Sequence, residues 1–348
     1  MALTRLTSAN AIPDDSVANV KMANIVQSKN ILINGDMQVS QRATSVSSIT
    51  SGGYHACDRW KEDMTTAGTW TISQSTTVPT GQGFATSLKM DCTTANGSLS
   101  AGSELMVQQR LEGQNLQYLK KGTSDAVSTT LSFWVRSNKT GTYICELQDV
   151  DNTRQISKSY TISSADTWEK KTITFPGDTT GALDNNNARS LDCSFYLAAG
   201  SDLSSGTLST TWTAKTDANR AVGQVNLADS TSNEWYVTGV QLEAGDTASE
   251  FEFLPVEVNL ARCQRYFFVT KSSQWLYAIN STNNNSRSEV VFKCSMRDTP
   301  TAGSVAFSNS GTGTGTQNAN INHVTVYVNG IGAADTSLNT GATFASEL

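Results

Sequence analysis

Between residues 69 and 243 the chain alternates apolar and polar positions with a period of two. Leu131, Phe133 and Val135 oppose Ser132, Trp134 and Arg136; Leu191, Cys193, Phe195 and Leu197 oppose Asp192, Ser194 and Tyr196. Successive side chains of a strand point to opposite faces, so these runs predict strands dry on one side and wet on the other. The same reading predicts strands over Thr69–Ser75, Ala85–Cys92, Glu104–Leu111, Thr129–Ser137, Gly141–Asp149, Trp168–Phe175, Ser190–Ala198 and Glu234–Glu243, separated by loops rich in Ser, Thr, Asn and Gly. One dry face per strand predicts antiparallel sheets packed face to face. The expected fold is all-β: a jelly-roll β-sandwich over 30–255, then a short helix and a smaller C-terminal β domain over 256–348.

The stretch Trp235–Phe268 joins the two parts. Trp235, Val237 and Gly239 are expected on one face of its strand, and Tyr236, Thr238, Val240 and Leu242 on the other. Ala244, Gly245 and Asp246 break the strand, and Phe251, Phe253 and Leu254 form an apolar plug. Pro255 suits the first position of a helix whose apolar stripe would be Val256, Leu260, Cys263 and Phe267. Upstream, Ile31 and Ile33 predict an opening strand, ended by a tight turn at Asn34, Gly35 and Asp36. Residues 1–29 have aliphatics too sparse for a core of their own and would fold against another molecule. In the C-terminal part, strands are expected over Trp275–Ile279, Glu289–Met296, Gly303–Ser308 and Asn322–Asn329. The Gly- and Thr-rich run 311–320 is read as an exposed loop. So thin a core points to several copies side by side.

Composition narrows the function classes. A net charge of −6 and a pI near 5.0 argue against nucleic acid, which needs a basic stripe to displace counterions. No long apolar run predicts membrane insertion. Six dispersed cysteines without a CxxC pair read as small buried hydrophobes. With two histidines far apart, His55 and His323, the usual triads and zinc sites lack parts, and no catalytic residue, cofactor or metal is assigned. A calcium role for Asp149 and Asp151 is set aside in favour of turn solvation. Sugars stack on Trp and Tyr and need amide, hydroxyl and charged partners, which this chain has in abundance. The candidate glycan contacts are Trp275 and Tyr277, in phase with each other, Trp168, in phase with Lys170, and Trp134, in phase with Arg136.

Several segments carry a resemblance. N-I-L-I-N-G-D-M-Q-V-S-Q-R (30–42), Y-H-A-C-D-R-W (54–60), V-T-G-V-Q-L-E-A-G-D-T-A-S-E-F-E (237–252), L-A-R-C-Q-R-Y-F (260–267) and F-K-C-S-M-R-D-T-P (292–300) resemble bacteriophage tail-fibre-like proteins, many from marine phages. P-D-D-S-V-A-N-V-K-M-A (13–23) is similar to segments near the virion-attached end of such fibres. The resemblance implies a carbohydrate-binding-like jelly roll and a virion protein, expected to be a homotrimer. It would dock to other tail or capsid proteins through residues 1–29 and recognise a host surface glycan without enzymatic activity. The alternatives are a purely structural fibre or decoration protein, or a polysaccharide depolymerase or esterase. The shared motifs look structural, with Asp58, Arg59 and Glu243 expected in a buried polar network.

Overall fold

The structure, a computed structural model, describes residues 28–270, 275–276, 286–303, 313–317, 319–329, 336–337 and 342–348. Twelve strands make its larger part: β1 (Ser45–Ile49), β2 (Lys61–Thr65), β3 (Thr69–Ser75), β4 (Ser87–Thr94), β5 (Glu104–Glu112), β6 (Thr129–Ser137), β7 (Gly141–Asp149), β8 (Arg154–Ile162), β9 (Glu169–Phe175), β10 (Arg189–Ala199), β11 (Thr213–Ala214) and β12 (Glu234–Ala244). They form two six-stranded sheets, in the orders β1-β3-β4-β12-β6-β9 and β11-β8-β7-β10-β5-β2. The first sheet contributes Trp70, Leu88, Phe133 and Trp235 to a shared core, and the second contributes Val107, Tyr143, Leu147 and Phe195. Phe195 touches Trp60, Phe133 and Trp235 at centroid distances of 6.3, 5.0 and 6.0 Å, locking the two layers together. This is the all-β sandwich that the alternation requires.

Four strands of the sandwich escape the pattern. β2 reads KEDMT and β8 reads RQISKSYTI, too polar in sequence to stand out, although Met64, Ile156 and Tyr160 reach the core. β1 and β11 are polar edge strands.

The expected opening strand is absent: residues 30–42 follow an irregular path whose first part lies against the second half of β12, an internal strand of the first sheet. Two backbone bonds tie it to β12, the Ile31 amide to the Leu242 carbonyl and the Val240 amide to the Gly35 carbonyl, both at 2.8 Å, and side chains add to them. Asn30 Oδ1 accepts from the amides of Leu32 (3.0 Å) and Leu242 (3.1 Å), and its Nδ2 donates to the Val240 carbonyl at 2.9 Å. Gln109 caps Ile33 through both backbone groups, at 2.7 and 2.8 Å. The tight turn is present, with the Met37 amide donating to the Asn34 carbonyl.

β12 departs from the expected facing. Its register with β6 slips between Thr238 and Gln241, a bulge centred on Gly239 at φ +61°. One extra residue turns the strand over, so Val240 and Leu242 join Trp235 and Val237 in the core. A side chain at Gly239 would meet the Phe84 ring, which packs with Phe251 and the exposed Phe253 of the expected plug.

Pro255 precedes the helix Val256–Gln264, as expected. Half of the predicted stripe holds: Cys263 is buried and Leu260 packs against its cluster, but Val256 is exposed and Phe267 lies beyond the helix in β13 (Phe267–Val269). The polar Asn259 is buried beside them: it accepts from the Asn34 amide at 3.1 Å and donates to Asp36 at 3.1 Å. Beyond it lie short sheets built from β13, β14 (Trp275–Leu276), β15 (Ser286–Val291), β16 (Thr301–Ala302), β17 (Gly313–Gln317), β18 (His323–Asn329), β19 (Thr336–Ser337) and β20 (Thr343–Ala345). Phe268, Phe292 and Phe344 form their aromatic centre. β17 corrects the loop expected over 311–320: the run Gly313–Gln317 pairs with β18, because its backbone completes the sheet without needing large side chains. The strand expected over Gly303–Ser308 falls mostly outside the described residues.

Candidate glycan-facing surface

The outer face of the first sheet carries a row of side chains fixed by register. Tyr236 on β12 stands opposite Arg136 on β6 and opposite Lys89 on β4. Trp134 faces Thr238 on one side and Lys170 on the other. Since Val135 pairs with Glu169, Trp168 falls beside Arg136 at the head of β9. Its ring meets Tyr236 edge to face at 6.2 Å. With strands about 4.8 Å apart, the row Trp168, Arg136, Tyr236, Lys89 spans roughly 14 Å.

Glu234 organises this row. It accepts from Lys89 Nζ at 2.7 Å and from the Tyr236 hydroxyl at 2.9 Å, and it lies 3.4 Å from Arg136. Burial works to raise the Glu234 carboxyl, but its bonds to Lys89 and Tyr236 and the charge of Arg136 outweigh it and hold the group below the usual carboxylate range. Arg136 also binds Asp166 at 2.8 Å. Its guanidinium sits 5.0 Å from the Tyr236 centroid, and Lys89 Nζ sits 5.5 Å from it on the same ring system. Tyr236 is therefore nearly buried, at 5% exposure, while Trp134 and Trp168 are half-buried and keep part of each ring open. The result is a surface on which two half-buried indoles stand beside charged groups held by ion pairs.

The structure thus sets Trp168 and Trp134 on one face of one sheet. Trp275 begins the two-residue strand β14, paired with Ser337, and Tyr277 lies outside the described residues. Tyr236, Lys89 and Glu234 escape sequence reasoning because the bulge at Gly239 obscures which face Tyr236 shares. Its signal is the short alternation Trp235–Thr238, read without the residues beyond Gly239.

Other candidates resolve into structural roles. Asp149 and Asp178 share the ammonium of Lys121, and Arg154 binds Asp178 at 2.7 Å, so protein cations neutralise this acidic corner. Among the described residues no group of three or more His, Cys, Asp or Glu side chains is arranged to hold a metal ion. His55 Nδ1 lies 2.7 Å from the buried Glu62. His323 is half-exposed, 3.3 Å from Glu289. Glu243 accepts from the Ser249 amide at 2.8 Å and shapes the turn after β12.

Residues from three of the quoted segments, 30–42, 54–60 and 260–267, meet Glu112 and Glu347 in one clasp. Arg59 pairs with Glu347 and stacks on Tyr266, its guanidinium 3.5 Å from the ring centroid. Arg42 bridges Glu347 at 3.0 Å and Asp58 at 3.8 Å. Glu112 accepts from Arg265 at 2.8 and 2.7 Å and from the Tyr266 hydroxyl. These contacts tie the sandwich to the helix and the C-terminal sheets.

No family model and no curated protein matches the chain. Solved structures similar to it include the enzymatically active domain of tailspike protein 4 from bacteriophage CBA120, at 13% identity over 62% of this chain and 21% of that one, with a TM-score of 0.33. TmCBM61, solved with β-1,4-galactotriose, is similar at 10% identity over 62% of this chain and 99% of that one, TM-score 0.32. The C-terminal family 22 carbohydrate binding module of Clostridium thermocellum Xyn10B is similar at 12% identity over 55% and 89%, TM-score 0.29.

Proposed function

We propose that this chain is a non-enzymatic virion appendage of tail-fibre type that recognises a host surface glycan. The observation that carries the reading is the outward row Trp168, Arg136, Tyr236 and Lys89 with Trp134 beside it, held in place by Glu234. Indole faces match the C–H faces of a pyranose, and Lys170, Arg136 and the flanking hydroxyls offer partners for its oxygens. The sequence resemblance supplies the virion setting. In this reading the sandwich over 30–255 presents the surface, residues 1–29 dock to tail or capsid proteins, residues 256–348 form a second domain, and three copies assemble.

A purely structural role is the second reading, favoured by one observation: residues from three of the segments shared with tail-fibre-like proteins lie in the clasp, not on the outer face. Labelled protein added to susceptible and resistant host cells separates the two. Selective binding that Trp134→Ala with Trp168→Ala abolishes supports the adhesin and its surface. Selective binding that survives this pair but is lost in Trp275→Ala moves the site to the C-terminal sheets. No binding to any cell, with tight retention on virions, favours the structural role. Light scattering at micromolar concentration tests the trimer, and a monomeric mass counts against it.

A further inference from the structure

The arginines of the clasp are paired, with one exception. Arg42 and Arg59 share Glu347, Arg265 holds Glu112, and Arg297 lies 3.9 Å from Asp298 and donates to the Ser346 carbonyl at 2.6 Å. Arg262, in the last turn of the helix, has no carboxylate within ion-pair distance among the described residues. It donates only to Ser28 Oγ at 3.3 Å and to the Asn30 carbonyl at 3.2 Å, both at the long end for such bonds. Burial lowers its pKa from the ordinary arginine value; the carboxylate acting against this, Glu252, reaches Arg262 only through Ser28, which donates to Glu252 Oε2 at 2.9 Å.

Arg262 lines a cavity of about 490 Å³ between the 3-10 turns after β5, the residue 28–33 strip and the helix. That volume falls within the usual range of about 300–1,000 Å³ for small-ligand sites. Ile31, Ile33 and Leu116 form its apolar wall, and Tyr118, 39% exposed, stands at its rim. Asn115 adds an amide beside them. The neighbouring Glu112 is already saturated by Arg265, Tyr266 and Gln114, so it does not neutralise Arg262.

We infer that this cavity is a second ligand site, separate from the outer face of the first sheet, and that it takes a carboxylate-bearing sugar unit of the uronic acid class. The carboxylate would pair with Arg262, whose planar fork suits a two-point contact. The ring would lie between the aliphatic wall and Tyr118, and Asn115 and Ser28 would meet its hydroxyls. A bare anion would use the guanidinium and leave the apolar wall dry of partners, and a neutral sugar would leave the cation unpaired. The inference does not depend on the adhesin reading.

Calorimetric titration of the full chain with glucuronic acid, glucose and acetate tests it, on the unaltered protein and on Arg262→Gln, Arg262→Lys and Tyr118→Ala. Glucuronic acid should bind in the millimolar range or tighter, and Arg262→Gln should weaken it about tenfold or more. Arg262→Lys should retain part of the affinity. Tyr118→Ala removes an exposed ring and should weaken binding with an unchanged melting temperature, so the test survives even if the Arg262 variants misfold. Absence of heat with glucuronic acid overturns the proposal, as does glucose binding equally well or affinity indifferent to both positions. Acetate binding as tightly as glucuronic acid overturns the assignment to a sugar. These titrations use free sugars and the Arg262 cavity, so they fail or succeed apart from the cell-binding assays on Trp134 and Trp168.

Discussion

Arg59 lies flat on Tyr266, its guanidinium 3.5 Å from the ring centroid, and both side chains are almost wholly buried. The two residues are distant in the chain, one in the run Y-H-A-C-D-R-W and the other in L-A-R-C-Q-R-Y-F, and their stacking joins the sandwich to the C-terminal sheets. Glu347 supplies the countercharge. A buried cation with one acid and one aromatic face tolerates little change.

Removing that cation should be costly. Arg59→Met leaves Glu347 with Arg42 alone and empties the face of Tyr266, and a loss of about 3–5 kcal/mol is expected from breaking one side of a buried pair. Chemical denaturation checks it. Arg59→Lys should recover only a fraction, because an ammonium does not stack as a planar guanidinium does. A change below about 1 kcal/mol for Arg59→Met would remove the clasp from the stabilising core of the fold.

Gly35 marks where the irregular opening strip touches β12. Its carbonyl accepts from the Val240 amide at 2.8 Å, and a Cβ there would lie 2.0 Å from the Val240 carbonyl oxygen. That neighbour is backbone and cannot turn aside. Gly35→Ala should therefore cost about 3 kcal/mol or more. Gly239→Ala meets only the movable Phe84 ring, with left-handed strain added, and should cost about 1–3 kcal/mol. Melting temperatures of the two variants should fall in that order.

Glu112 gives a pH signature. Burial works to raise its carboxyl, but hydrogen bonds from Arg265 and Tyr266 outweigh burial and hold it below its ordinary value. A carboxyl lower in the folded than in the unfolded chain contributes stability that is complete above the unfolded value near 4.5 and is lost as pH falls through the folded one. Glu112→Gln should lower stability at neutral pH and flatten the acid limb below about pH 4.5 relative to the unaltered protein. Denaturant midpoints measured from pH 7 to pH 3 would show both effects, and parallel acid limbs would contradict the assignment.

The cysteines predict a reactivity order. Cys57, Cys92, Cys145, Cys193 and Cys263 are buried and free, and burial raises each thiol. Cys294 is half-buried, its thiol donating to the Ala261 carbonyl at 3.3 Å. Burial raises the Cys294 thiol too, so in the native protein it should react with an aromatic disulfide reagent more slowly than a free thiol, and the other five only on unfolding. More than one thiol reacting before unfolding would show that the core opens.

The sequence by itself determined what depends on neighbours along the chain. The strands Thr129–Ser137 and Gly141–Asp149 are legible to the residue, because alternation is a local consequence of the pleat. So are the start of the helix after Pro255 and the turn at Asn34, which follow from backbone chemistry of a few residues. Tertiary structure alone decided whatever depends on register. The bulge at Gly239 returned Val240 and Leu242 to the core, the buried Asn259 joined Cys263 on the inner face of the helix while Val256 turned outward, and Gly313–Gln317 became a strand because β18 offered an edge. The candidate surface belongs to this second kind. Trp168, Arg136, Tyr236 and Lys89 sit on separate segments, and only the pairing of β4, β12, β6 and β9 sets them in one row. The cavity at Arg262 likewise needs three segments distant in the chain. Periodicity specifies which side of a strand is wet; which wet residues become neighbours is settled by hydrogen bonds between strands, and those are not written in any one of them.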